Sequence, residues 1–109
     1  MSRKRNIKIA LLLYDQMLAT SVSLPVEMLR AAEALALQSN KKAPRLTIQM
    51  VAESPNAVST RALIKLKPDC DVDNACLPDF AFIPSLWRNP RPSLTKHPKT
   101  IAWLNTIWQ

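Results

Sequence analysis

Leu77-Pro78-Asp79-Phe80-Ala81-Phe82-Ile83-Pro84-Ser85-Leu86-Trp87 is the stretch that decides the fold. Four consecutive apolar residues, Phe80 to Ile83, stand between two prolines. A run this short, without polar alternation, predicts a strand covered on both faces, as in a parallel sheet. Pro84 has no N–H to give to a ladder, so the strand is expected to stop there. In an open α/β sheet, ligands bind in the loops beyond the carboxyl ends of the strands. Ser85, Trp87 and Arg88 therefore become candidate site residues.

The sequence upstream supplies the partners that such a strand needs. Ile7 to Tyr14 reads as the first strand, because Ile9, Ala10, Leu11, Leu12 and Leu13 are apolar without alternation. The Asp15-Gln16 break after so short a run favours strand over helix. Leu18 to Gln38 predicts a helix, with Ser21 and Ser23 as candidate caps and Pro25 in or near its first turn. Met28, Leu29, Ala32, Leu35 and Ala36 recur at three- and four-residue spacing, which predicts one buried stripe. Glu27, Arg30 and Glu33 lie off it. Leu46 to Ala52 alternates well enough to predict a second strand nearer an edge. Strand, helix and strand make a right-handed βαβ unit.

Val58 to Thr60 and Leu63 to Leu66 predict a short hairpin. Pro68 to Ala75 reads as an acidic loop. Asp69, Asp71 and Asp73 have the spacing of a calcium loop, but its glycine and terminal glutamate are missing, so no metal site is expected. Beyond the opening stretch, Arg88-Asn89-Pro90-Arg91-Pro92 reads as an extended linker. Pro98 suits the first turn of a final helix. Ile101, Leu104 and Trp108 form its stripe, widened by Trp103 and Ile107.

The chain has 109 residues, enough for one small domain, and 48% of them are hydrophobic, so a packed core is expected. There is no glycine. Phosphate loops of the Gly-rich kind and the G-x-S-x-G elbow are thereby excluded from this stretch of chain. Tight turns are expected to use Asn, Asp, Ser or Pro. The net charge is +7, from 15 Lys and Arg against 8 Asp and Glu. Apart from Arg3-Lys4-Arg5 and Lys41-Lys42 the basic residues are scattered. That pattern argues for solvated faces and a basic tail over residues 1–6 rather than a nucleic-acid surface. Cys70 and Cys76 are too few for a zinc site and are expected to be reduced thiols. No run approaches the roughly 20 apolar residues of a membrane span.

Ile9-Ala10-Leu11-Leu12-Leu13-Tyr14, Leu24-Pro25-Val26-Glu27-Met28-Leu29-Arg30-Ala31-Ala32, Pro78-Asp79-Phe80-Ala81-Phe82-Ile83-Pro84, His97-Pro98 and Ala102-Trp103-Leu104 occur in that order. Together they resemble the amino-terminal domain of AraC-family transcriptional regulators, part of the PfpI and class I glutamine-amidotransferase-like superfamily. The resemblance runs from Ile7 to Trp108. It implies a flavodoxin-like α/β sandwich with a parallel sheet, of which residues 7–109 are the first half. It also implies a carboxy-terminal pair of helix-turn-helix motifs, expected to lie beyond Gln109. In the superfamily the next strand leads to a nucleophile elbow that usually holds Cys. Two departures stand within the sequence. Enzymes of the superfamily often carry a glutamate where Ser21 stands. Their central strand usually runs into Pro-Gly-Gly, which lines an oxyanion hole; here it runs into Pro84-Ser85-Leu86.

In the flavodoxin strand order, 2-1-3-4-5, the first and central strands are neighbours and their carboxyl ends flank the switch-point crevice. Asp15, Ser85, Trp87 and Arg88 are the candidate ligand-binding residues there. Arg88 suits a carboxylate and Trp87 an apolar wall. The competing reading has Asp15 capping a turn, Trp87 packed under the linker and Arg88 solvated. No catalytic residue is assigned, because Cys70 and Cys76 lie in an acidic loop that raises a thiol pKa. His97 reads as a neutral residue at a helix start.

Two functional classes follow. One is a shortened, non-catalytic, ligand-sensing domain of a cytoplasmic regulator; the other is a fragment of a PfpI-like amidohydrolase or hydratase. A plain α/β interaction domain is a third reading. The partners expected are a small-molecule effector, DNA only through a carboxy-terminal domain, no membrane, and a second copy through an open strand edge. No cofactor is implied. With the far side of the central strand unpaired, Trp103, Leu104 and Trp108 are expected to be partly exposed.

Overall fold

Ile9, Ala10, Leu11, Leu12 and Leu13 are all buried, which makes β1 (Asn6–Leu13) the centre of the sheet. The computed structural model describes residues 6–60, 62–85 and 97–108. After β1 come α1 (Thr20–Ser39), β2 (Arg45–Ala52), β3 (Val58–Ser59), β4 (Lys65–Leu66), β5 (Cys70–Asp71), β6 (Phe80–Phe82) and α2 (Pro98–Trp108). The main sheet has the order β5-β2-β1-β6, and every pairing in it is parallel. β1 and β2 run in register from Asn6 beside Arg45 to Leu13 beside Ala52. Strands β3 and β4 form a separate antiparallel hairpin. The fold is α/β and flavodoxin-like, as the sequence predicts.

The sheet buries two faces. On one, Leu11, Leu13 and Ala52 pack with Val22 and Val26 of α1, and with Met17 and Val58. On the other, Ala10, Leu12, Val51 and Val72 pack with Trp103, Leu104 and Ile107 of α2. The alternation of strand side chains divides one apolar run, Ile9 to Leu13, between two helices.

Two Pro-Asp pairs start the outer strands by the same device. Before β5, Asp69 donates its N–H to the Met50 carbonyl at 2.7 Å, and its carboxylate accepts the Met50 N–H at 2.7 Å. Before β6, Asp79 donates its N–H to the Lys8 carbonyl at 2.8 Å, and its carboxylate accepts the Lys8 N–H at 2.9 Å. Each aspartate satisfies both backbone groups of one residue on the neighbouring strand. The next residues are thereby delivered in parallel register.

Several expectations give way. Within the run Phe80 to Ile83, Phe80–Phe82 form a strand, but the run is not covered on both faces. Phe80 is 60% exposed and Ile83 63%. The two core clusters join the helices to β1, β2 and β5, and neither includes a residue of β6. The acidic loop contains β5, which its polar composition hid.

In α1 the expected stripe is turned outward, with Met28 and Leu35 each 65% exposed. Glu33 accepts the Leu46 N–H at 2.7 Å, while Arg30 donates to the Leu46 carbonyl at 3.1 Å and to Glu33 at 3.0 Å. This clamp ties the helix to the start of β2, and Val22 and Val26 are the helix residues that pack into the core. Ser21 and Ser23 are not caps. The helix begins at Thr20 after Ala19, with no side-chain cap bond, and Pro25 lies inside it.

Trp103 is only 8% exposed, against the expected partial exposure, because β2 and β5 supply enough sheet to cover it. The two left-handed residues among those described are Gln16 (φ 67°) and Leu63 (φ 62°), rather than Asn, Asp or Ser.

Candidate functional site

The carboxyl ends of β1 and β6 lie side by side, as the switch-point geometry requires. The Tyr14 hydroxyl donates to the Pro84 carbonyl, and the Leu18 N–H donates to the Ser85 carbonyl at 3.1 Å. The exit of β6 is therefore laced to the β1–α1 turn by two hydrogen bonds. Tyr14 is half-buried, and that burial pushes its hydroxyl pKa up, so the group remains a proton donor. Its ring also meets the His97 ring edge-to-face, with centroids 6.3 Å apart. One tyrosine thus ties together the ends of β1 and β6 and the start of α2.

On the other side of His97, Glu53 extends from the end of β2 to the amino terminus of α2. It accepts the Thr100 N–H at 2.9 Å, the Thr100 hydroxyl at 2.8 Å and the Lys99 N–H at 3.3 Å. Partial burial pushes its carboxyl up, but the bonds from Thr100 and Lys99 and the charge of His97 outweigh that. The net pKa lies below the ordinary glutamate value. The clamp replaces a local N-cap with a carboxylate from a distant strand.

Of the four candidate ligand residues, Asp15 and Ser85 stand where the sequence places them. Both are exposed, Asp15 in the turn after β1 and Ser85 beside Leu18. Trp87 and Arg88 lie outside the described residues, as does the Arg88 to Pro92 linker. Cys70 is remote from the crevice, on the far edge strand. Burial first, then Asp69 and Asp71, push its thiol pKa up. The expected direction is met, although burial rather than the acidic loop is the main cause. Among the described residues no group of His, Cys, Asp and Glu side chains could hold a metal ion.

A cavity that the sequence did not reveal opens beside this crevice. It has a volume of about 500 Å³ and is lined by Gln16, Ser59, Thr60, Leu63, Ile64 and Lys65. The hairpin is seated on the β1 exit through the Gln16 N–H, which donates to the Ser59 carbonyl at 2.8 Å, and a parallel bridge from Met17 to Thr60. The alternation of Lys65 and Leu66 was legible in the sequence. That Gln16 would be the opposite wall was not, because nothing local marks that pairing.

No family model matches the sequence, and no curated protein matches it. Solved structures do. With this sheet they show the flavodoxin-like α/β fold. The chain is similar to a candidate transcriptional regulator protein from Vibrio parahaemolyticus, with a TM-score of 0.73 and 18% identity over 94% of this chain and 51% of that one. It is similar to a ThiJ/PfpI family protein from Pseudomonas syringae, with a TM-score of 0.70 and 18% identity over 92% of this chain and 37% of that one. It is also similar to a DJ-1 superfamily protein from Salmonella typhimurium, crystallised as a cysteine-to-alanine mutant. There the TM-score is 0.65 and the identity 20%, over 93% of this chain and 49% of that one. The chain thus spans about half of these proteins or less. Among its described residues no helix is long and apolar enough to cross a membrane.

Proposed function

We propose that this chain is part of a non-catalytic, ligand-sensing domain of an AraC-type transcriptional regulator in the cytoplasm. The effector is a small molecule that enters at the carboxyl ends of β1 and β6, beside Asp15 and Ser85, with Trp87 and Arg88 completing the site. DNA contact belongs to a separate carboxy-terminal domain. The observation that carries the reading is the laced exit of β1 and β6. Tyr14, Leu18, Pro84 and Ser85 spend their groups on one another, and the described thiols lie elsewhere, with that of Cys70 held protonated. The likeness to a candidate regulator over 94% of the chain supports the same reading. The alternative, a fragment of a PfpI-like amidohydrolase or hydratase, draws on the ThiJ/PfpI and DJ-1 likenesses.

Amide, ester, isonitrile and glyoxal substrates should show only background turnover with this chain. Turnover that disappears in Cys70→Ala or Cys76→Ala would favour the enzyme. Effector binding should alter Trp87 fluorescence once Trp103 and Trp108 are silenced, and should weaken in Arg88→Ala. A ligand indifferent to both Trp87→Ala and Arg88→Ala would place the site elsewhere.

A further inference from the structure

We infer that the cavity between the hairpin and the β1–α1 turn binds a small organic carboxylate with a short apolar tail. The site is separate from the crevice and does not depend on the sensing role. In the β3–β4 hairpin, Ser59 and Lys65 are register partners, as are Val58 and Leu66. Register partners share a face of the ladder, so the hairpin has one face of each kind. Val58 and Leu66 pack into the α1 side of the core. Ser59 and Lys65 line the cavity.

Lys65 is the one charged group among the described lining residues. The ion pairs of the described residues are Arg30 with Glu33 and Lys99 with Asp73, so Lys65 has no carboxylate of its own. Asp15, next to Gln16 in sequence, does not line the cavity. Thr60 builds the wall instead of binding. Its hydroxyl donates to the Ile64 carbonyl at 2.7 Å and accepts the Ala62 N–H at 3.2 Å. Beside the Gln16 amide, the polar residues that line the cavity are Lys65 and Ser59, whose ammonium and hydroxyl make a pair that fits one carboxylate.

The apolar half of the site is Leu63 and Ile64. Leu63 is 99% exposed and stands in the left-handed region at φ 62°, and Ile64 is 52% exposed. A leucine held there with its side chain wholly in solvent gains nothing from its own fold. An apolar tail lying between Leu63 and Ile64 would cover both. The cavity volume falls within the range of small-ligand sites, and a mostly apolar wall with a few convergent polar groups is their usual chemistry.

Hexanoate is the probe, titrated into the whole 109-residue chain with backbone amide NMR as the readout. Saturable shifts should centre on Gln16, Ser59 and Lys65, with a Kd of about 10 mM for so small a ligand. Acetate, which lacks the tail, and hexylamine, which reverses the charge, should each bind about tenfold more weakly or not at all. Lys65→Ala should weaken hexanoate about tenfold, while Lys65→Arg keeps most of the affinity. Circular dichroism should be unchanged in both variants, because residue 65 is exposed. Hexanoate shifts that do not saturate, equal binding of acetate, or undiminished binding to a folded Lys65→Ala would each overturn the site. None of these outcomes bears on Trp87 or Arg88, so failure here leaves the crevice reading standing.

Discussion

Strands β5 and β6 flank the same pair of strands, and a Pro-Asp dipeptide starts each of them, yet they are packed very differently. Beside β5, Val72 is buried and Trp103 closes over the sheet. On β6, Phe80 and Phe82 remain exposed, as does Ile83 just beyond it. The aspartate device uses only backbone groups and one carboxylate, so it works wherever the chain passes a strand edge. Burial depends on whether a helix crosses above. The two edges therefore separate what makes a strand from what stabilises it.

The largest expected effect is on the covered side. Trp103→Ala should cost about 3–5 kcal/mol, read from denaturant midpoints at constant slope. Phe80→Ala should cost less than about 1 kcal/mol, since over half of the ring is already in water. Equal costs would mean that something covers β6 in solution. Trp103→Phe sharpens the comparison. Among the described residues the buried Trp103 Nε1–H has no partner, so replacing the indole removes an unsatisfied donor and should recover most of the loss.

Next in size are the two aspartates. Asp69→Ala and Asp79→Ala each leave one strand N–H without its acceptor, at a cost of about 1–2 kcal/mol. Asp→Asn should cost less, because the amide oxygen still accepts. Hydrogen exchange should accelerate at Met50 in the first variant and at Lys8 in the second. If exchange at both sites stays slow, the ladder rather than the carboxylate holds these strands.

The same contrast explains what could be read in advance. Unbroken apolar runs mark β1 and β6, and alternation marks β2 and the hairpin, because these signals are local. Pro98 marks α2 for the same reason. β5 was hidden because Cys70-Asp71 gains its pairing from Asp69 and Met50, which lie far apart in sequence. The buried face of α1 was misread because apolar spacing cannot reveal that Glu33 and Arg30 would clamp Leu46. At the candidate site, Asp15 and Ser85 follow from strand ends and the switch-point rule. The cavity over Gln16 does not, since a left-handed glutamine paired to a hairpin has no pattern in the sequence.

Glu53 gives a smaller, pH-dependent effect on the covered side. Its folded pKa is depressed, so its contribution is fully present above the ordinary value of 4.5 and is lost as the pH falls through the folded value. Because the carboxyl is mostly solvated, the gain is modest. Glu53→Gln should lower the melting temperature at neutral pH. The gap from the parent chain should close as the pH falls below 4.5 and through the depressed folded value. A gap that stays constant over that range would show that the charge on Glu53 does not hold the start of α2.

The smallest effect on stability should come from charging the bare edge, and it tests the proposal that this edge mediates self-association. Phe80 and Phe82 sit beside Ile9 and Leu11 in register, so both rings stand on the α1 side of the sheet beyond the helix. Apolar side chains next to unpaired strand groups form a template for another chain, and lysine is the usual means of blocking one. Phe80→Lys removes a ring that is mostly in water, so the melt should change by less than about 0.5 kcal/mol. The effect on assembly should be opposite in scale. Two copies joined through this edge would each place a cation against the other in addition to a net charge of +7. Sedimentation should therefore show the parent chain associating with rising concentration and Phe80→Lys remaining monomeric. Lys65→Ala, a charge change on the hairpin, should leave association intact. If the parent chain is monomeric throughout, β6 is not a self-association surface, and its exposure needs another explanation.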